Sequence, residues 1–162
     1  MSIPNTFRPL GRHTRNRVFP MVRLTSNNTG RTVDGHALPN GFAVSCSYMP
    51  SDAFKAFDGK TTEWLTGFWE LSFYEIDFGR RVELKKIRVF ARCGVVAEKK
   101  FNLQYWKNGG WHYSGAILPY NQASAWTQAT LDGIVARKWR LYRAIEDTNT
   151  SFIAEIDYEA VY

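Results

Sequence analysis

Short apolar runs recur along this chain between clusters of turn residues, and no window sustains a three-four apolar spacing, so the pattern predicts antiparallel strands with little helix. Tyr74, Ile76 and Phe78 alternate with Phe73, Glu75 and Asp77, and Ile87, Val89 and Ala91 alternate with Arg88, Phe90 and Arg92. A period of two places the first set of each run on a core face and the second on the opposite face. The clearest hairpin joins Phe101–Trp106 to Trp111–Ala116 through Lys107-Asn108-Gly109-Gly110, because Asn-Gly accepts the positive φ angles of a tight turn. Further strands are predicted at 125–131, 138–143 and 152–161, with Asp132-Gly133 and Asp147-Thr148-Asn149 as turns. No internal repeat or low-complexity linker interrupts them.

The 162 residues suit one domain, with aromatic residues at 15% as large packing units. The formal charge of +6 is unevenly placed: Arg8, Arg12, Arg15, Arg17, Arg23 and Arg31 all precede the first acid, Asp34, so the remainder of the chain is neutral. Residues 1–20 therefore form an extended basic arm, and residues 21–162 the folded body. The arm contains no apolar run of signal-peptide or membrane-spanning type, which implies synthesis in the cytoplasm without a signal peptide. A basic arm can bind nucleic acid, an anionic membrane surface or an acidic groove on a protein, or stay solvated. Its interspersed apolar side chains favour docking on other protein subunits, with Phe7, Arg8, Arg12, Arg15, Arg17 and Phe19 as the partner-binding set. Nucleic acid ranks lower, since the neutral body offers no extended basic strip. Cys46 and Cys93 have no metal-ligand spacing; buried free thiols are expected, with a bridge as the alternative.

The segment Ala53-Phe54-Lys55-Ala56-Phe57-Asp58-Gly59-Lys60-Thr61-Thr62-Glu63-Trp64 opens a polar loop on an Asp-Gly turn, and Ala154-Glu155-Ile156-Asp157-Tyr158 closes the chain. One loop carboxylate, several carbonyls and a late Glu can make an oxygen cage for a cation. These motifs are joined by Ile76-Asp77-Phe78-Gly79, Leu84–Val89, Phe101–Tyr105 before Gly110-Trp111, and Arg137-Lys138-Trp139-Arg140-Leu141. In that order, from about Pro20 to Tyr162, they resemble the discoidin-like family, the coagulation factor V/VIII C-type or galactose-binding-like domains. The resemblance implies an all-β, jelly-roll-like antiparallel β-sandwich of about eight strands, with the N-terminal arm outside it. It also implies one structural Ca2+, with carboxylates from Asp58 and Glu155, an oxygen from Thr62, and backbone carbonyls from Lys55, Lys60 and Ala154. The alternative is a cation-free turn in which a lysine ammonium takes the cation's place.

Sugar sites of the resembled family combine an aromatic platform with Arg, His or Asn, since a sugar's apolar face stacks on a ring while planar donors fix its hydroxyls. Arg92 matches the position of an Arg used in many of these modules, although the Asn that commonly follows is missing. His36, Trp69, Asn149 and Phe152 are the positional candidates to complete a carbohydrate-binding pocket. The alternative is that Arg92 pairs with a surface acid and Trp69 caps the core. Trp64, Trp106, Trp126 and Trp139 are assigned to packing, and His112 to the hairpin surface. The pattern of the fucose-binding lectins of this fold group is absent. Glu63, Glu70 and Glu75 suggest no paired acid and base, so no enzyme is expected.

A free-standing module with a basic arm and no signal suggests a non-catalytic structural or attachment subunit of a larger assembly, such as a bacteriophage virion component in a tail, baseplate or capsid. The alternative function is a glycan-binding adhesion module directed at cell-surface sugars.

Overall fold

The computed structural model describes residues 18–19, 22–26, 29–32, 42–47, 50–67, 72–94, 99–143 and 150–162. Its strands, in chain order, are β1 (Val18–Phe19), β2 (Val22–Ser26), β3 (Thr29–Thr32), β4 (Phe42–Cys46), β5 (Leu65–Gly67), β6 (Ser72–Cys93), β7 (Lys99–Lys107), β8 (Gly110–Tyr120), β9 (Ala125–Thr130), β10 (Val135–Arg143) and β11 (Ser151–Val161). A 3-10 helix, Pro50–Phe57, precedes β5. Strands β2 and β3 form a separate hairpin; the other nine form one antiparallel network.

β6 organises the sandwich. Its first half lies between β4 and β10, and its second half between β11 and β9, so one 22-residue strand serves both layers. The first layer continues from β10 through β7 to β8. The second places β5 and β1 on opposite ends of β11. The predicted alternation holds: Tyr74, Ile76, Phe78, Ile87, Val89 and Ala91 are buried, while their neighbours are half-buried or exposed. The phase slips at Lys85, the unpaired residue between the Glu159–Lys86 and Ala160–Leu84 pairs, which moves the buried set from even to odd numbers. A second bulge lies at Ala154, between the pairs made by Ile153 and Glu155.

The core between the layers holds Trp139, Phe57, Phe78, Phe101, Leu84, Leu103, Leu118 and Ile153 with almost no exposed surface. Each such side chain stabilises the fold by about 1.5–3 kcal/mol through burial. Phe78 meets Tyr158 edge-on at 5.0 Å, and Phe101 stacks on Tyr120 at 4.5 Å. The Asn-Gly hairpin forms as expected, with Asn108 at φ 51° and Gly109 at φ 79°. The Asp147-Thr148-Asn149 turn lies outside the described residues.

Three sequence expectations are refined. The short helix was not expected: Pro50 starts it, and Ala53, Ala56 and Phe57 form its buried side. Eleven strands lie among the described residues, against about eight expected. Val18 and Phe19 pair with Val161 and Ala160, so these two residues of the segment assigned to the extended arm belong to the sandwich's hydrogen-bond network. Cys46 and Cys93 are buried free thiols.

Candidate functional site

Arg92 lies on the outward face of β6, opposite Phe152 of β11. Its guanidinium carbon sits 4.8 Å from the centre of the Trp64 ring and 5.0 Å from that of Phe152. Among the described residues none accepts a hydrogen bond from this guanidinium, and its Nε is buried without a partner. The alternative role, pairing with a surface acid, is therefore excluded among the described residues. A planar cation lies against two rings with its buried Nε donor unused, and leaving that one donor unsatisfied costs free energy.

The rings continue along the same face. Trp64 is 5.6 Å from Phe90, which is 5.5 Å from Trp126, whose ring carries the guanidinium of Arg88 at 4.3 Å. Arg88 differs from Arg92 in having a carboxylate: its Nε donates to Asp157 Oδ2 at 2.7 Å. The face is thus a row of three rings, Trp126, Phe90 and Trp64, flanked by the paired Arg88 on one side and by Arg92, unpaired among the described residues, on the other. The tryptophans assigned to packing do so in different places: Trp139 is buried in the core, whereas Trp64, half-buried, and Trp126, 39% exposed, pack on Phe90 at the surface, and Trp106, 40% exposed, packs on Trp111. Strict alternation already put Phe90 with Arg88 and Arg92. The arrival of Trp126 depends on the pairing of β9 with β6, which periodicity does not encode.

Of the carbohydrate-binding candidates, the structure brings Arg92 and Phe152 together; His36, Trp69 and Asn149 lie outside the described residues. So do Phe7, Arg8, Arg12, Arg15 and Arg17 of the arm, and Glu70. His112 is an exposed hairpin residue whose Nε2 is 3.0 Å from the Lys107 carbonyl.

The Asp-Gly turn is closed by protein groups. Glu155, buried, accepts from Gly59 N at 2.8 Å, and Asp58 accepts from Lys60 N at 2.8 Å. The Lys60 ammonium lies 3.6 Å from Asp58 and 2.9 Å from Glu63, which raises the lysine pKa and lowers that of Glu63. Thr62 is exposed and Ala154 is buried at its bulge. Lys55 Nζ reaches Asp52 at 3.2 Å. Among the described residues no group of three or more His, Cys, Asp or Glu side chains is arranged to hold a metal ion. Calcium prefers six to eight oxygens. Asp58 here faces the Lys60 ammonium, the arrangement expected of the cation-free alternative for this turn.

Glu63 and Glu75, the acids considered for catalysis, are each held by a lysine, Glu63 by Lys60 and Glu75 by Lys138 at 3.3 Å.

Neither a family model nor a curated protein matches the sequence. Solved structures do. The family 32 carbohydrate-binding module of NanJ from Clostridium perfringens, solved with galactose, aligns with a TM-score of 0.59 at 16% identity, covering 76% of this chain and 97% of that one. The F5/8 type C domain of a Bacteroides fragilis protein gives 0.57 at 19% identity, covering 74% and 91%. This chain has the discoidin-like, galactose-binding-type fold. Another chain with this fold, a C. perfringens family 32 module in complex with GalNAc-β-1,3-galactose, gives 0.58 at 16% identity over 76% and 99%. Some modules of this fold are attached to enzymes, as in AlyQ with its alginate lyase domain.

Proposed function

We propose that this chain is a non-catalytic glycan-binding module whose site centres on Arg92. The observation that carries the reading is a guanidinium held against Trp64 and Phe152 with no acceptor among the described residues. A sugar supplies what this site lacks: hydroxyl oxygens for a planar fork, and an apolar ring face for the adjoining aromatic surface of Phe90 and Trp126. The solved modules with galactose and GalNAc-β-1,3-galactose support the choice of ligand class.

The test is a glycan array probed with the folded protein and its Arg92→Ala variant, starting from galactose and GalNAc-β-1,3-galactose. Loss of a charge-assisted hydrogen bond of about 1.5–3 kcal/mol is expected to weaken binding about tenfold or more. A folded protein that binds no glycan, or binds equally well without Arg92, overturns the proposal. The assembly or virion reading, clasped by the basic arm, draws no support from the described residues or from the structures it matches.

A further inference from the structure

A second guanidinium stands among aromatic rings on the outward face of the other layer. Arg140 of β10 lies 4.2 Å from the centre of Trp111, 4.8 Å from Tyr142 and 5.6 Å from Phe73. Its Nε donates to the buried Gln104 Oε1 at 2.7 Å, which fixes the plane of the fork. Its other donors have no acceptor among the described residues. The carboxylate opposite it, Glu75, is engaged by Lys138 at 3.3 Å, and Asp77 by Arg137 at 2.7 Å. The acids of this face are therefore neutralised by other cations, and the charge of Arg140 is left over. Desolvation lowers its pKa, and the opposing pull of Tyr142 and Glu75 offsets that only in part.

The surroundings have the form of a platform. Strand register places Glu75, Arg140, Gln104 and Tyr113 in one row across β6, β10, β7 and β8, and Phe73, Tyr142, Asn102 and Ile117 in the next. Tyr113 is 60% and Ile117 47% exposed, and Trp106 meets Trp111 edge-on at 5.3 Å beside them. Rings on four neighbouring strands, exposed at Trp106 and Tyr113 and half-buried at Phe73, Tyr142 and Trp111, offer successive stacking positions rather than one pocket, which suits a chain of sugars. A fixed fork with spare donors and an uncompensated positive charge calls for a planar anion, and a carboxylate matches it in shape and charge.

We propose that the β6–β10–β7–β8 face is a second binding site, for a linear polysaccharide of uronic acid residues, with Arg140 taking the carboxylate and Trp111 and Tyr113 taking ring faces. The site is separate from that of Arg92 and stands whether or not that one binds a glycan.

The experiment titrates the full chain with hexagalacturonate and with its methyl ester, which keeps the rings and removes the charge. Calorimetry gives the affinity, and the indole N–H signals in NMR give the location. The acid is expected to bind and to shift the Trp106 and Trp111 signals, with the ester bound about tenfold or more weakly. Arg140→Lys keeps the charge but not the fork, and is expected to lose a similar factor. Tyr113→Ala, at a position too exposed to endanger folding, is expected to weaken binding as well. No binding at millimolar ligand, equal affinity for acid and ester, or shifts confined to Trp64 and Trp126 overturns the proposal.

Discussion

Arg88 and Arg92 occupy the same outward row of β6 and both rest on tryptophan rings, yet among the described residues only Arg88 of the two has a carboxylate partner. On the proposed function, the difference separates a structural arginine from a binding one. Asp157 is almost wholly buried, so an ion pair there offsets a desolvation cost that water cannot relieve. Arg88→Ala is expected to destabilise the fold by about 1–3 kcal/mol, measured by chemical denaturation, by removing a charged hydrogen-bond partner of that buried acid. Arg92→Ala removes no hydrogen bond, and its larger effect is expected on glycan binding. Equal stability losses in the two variants would contradict this division.

At the level of elements, the turns are tied to the strands by ionisable groups. Glu83 accepts from Lys85 Nζ at 2.6 Å and from Gly133 N at 2.7 Å, and Lys85 also reaches Asp132 at 3.0 Å. The cluster pins the β9–β10 turn, where Gly133 has φ 73°, to the bulge of β6. The hydrogen bond and charge of Lys85 lower the pKa of Glu83 below its ordinary 4.5, and that of Asp132 below 3.8. Their contribution is therefore present above the unfolded values and is lost as pH falls through the folded ones. Lys85 is raised above 10.5, so its share is full below that pH and disappears only as pH rises through its folded value. Glu83→Gln is expected to flatten the fall in melting temperature below about pH 4.5 while leaving its value near pH 12 less changed. An acid limb identical to that of the parent would remove the cluster from this account. The Asp-Gly loop behaves differently, because Lys60 already faces Asp58 and Glu155 already holds Gly59 N. Calcium or a chelator is expected to leave the melting temperature unchanged; a calcium-dependent rise abolished by Asp58→Asn would restore the cation to that turn.

For the whole molecule, two thiols lie in one core built from both layers, Cys46 at the end of β4 and Cys93 at the end of β6. Both are expected to resist a thiol reagent in the folded protein and to react together on unfolding, with reducing agent having no effect on the melting temperature. Reaction of either in the native state would show that its end of the sandwich opens. The layered plan was legible in the chain because period-two alternation, as in residues 73–78 and 87–92, states which side chains face inward without reference to any partner strand. Asn108-Gly109 and Asp132-Gly133 were legible for a similar reason: a positive φ is a local demand met by few residue types. The position of Arg92 on an outward row was local information too. Its lack of a partner, its two ring neighbours and the exposure of Trp126 and Trp106 were not, because they depend on which strands lie side by side. The same holds for the helix at Pro50–Phe57, whose buried side exists only once β2, β4 and β11 pack against it. Alternation along one strand is set by backbone geometry and can be read from sequence; juxtaposition across strands is set by register, bulges and the packing of two layers, and only the tertiary structure decides it.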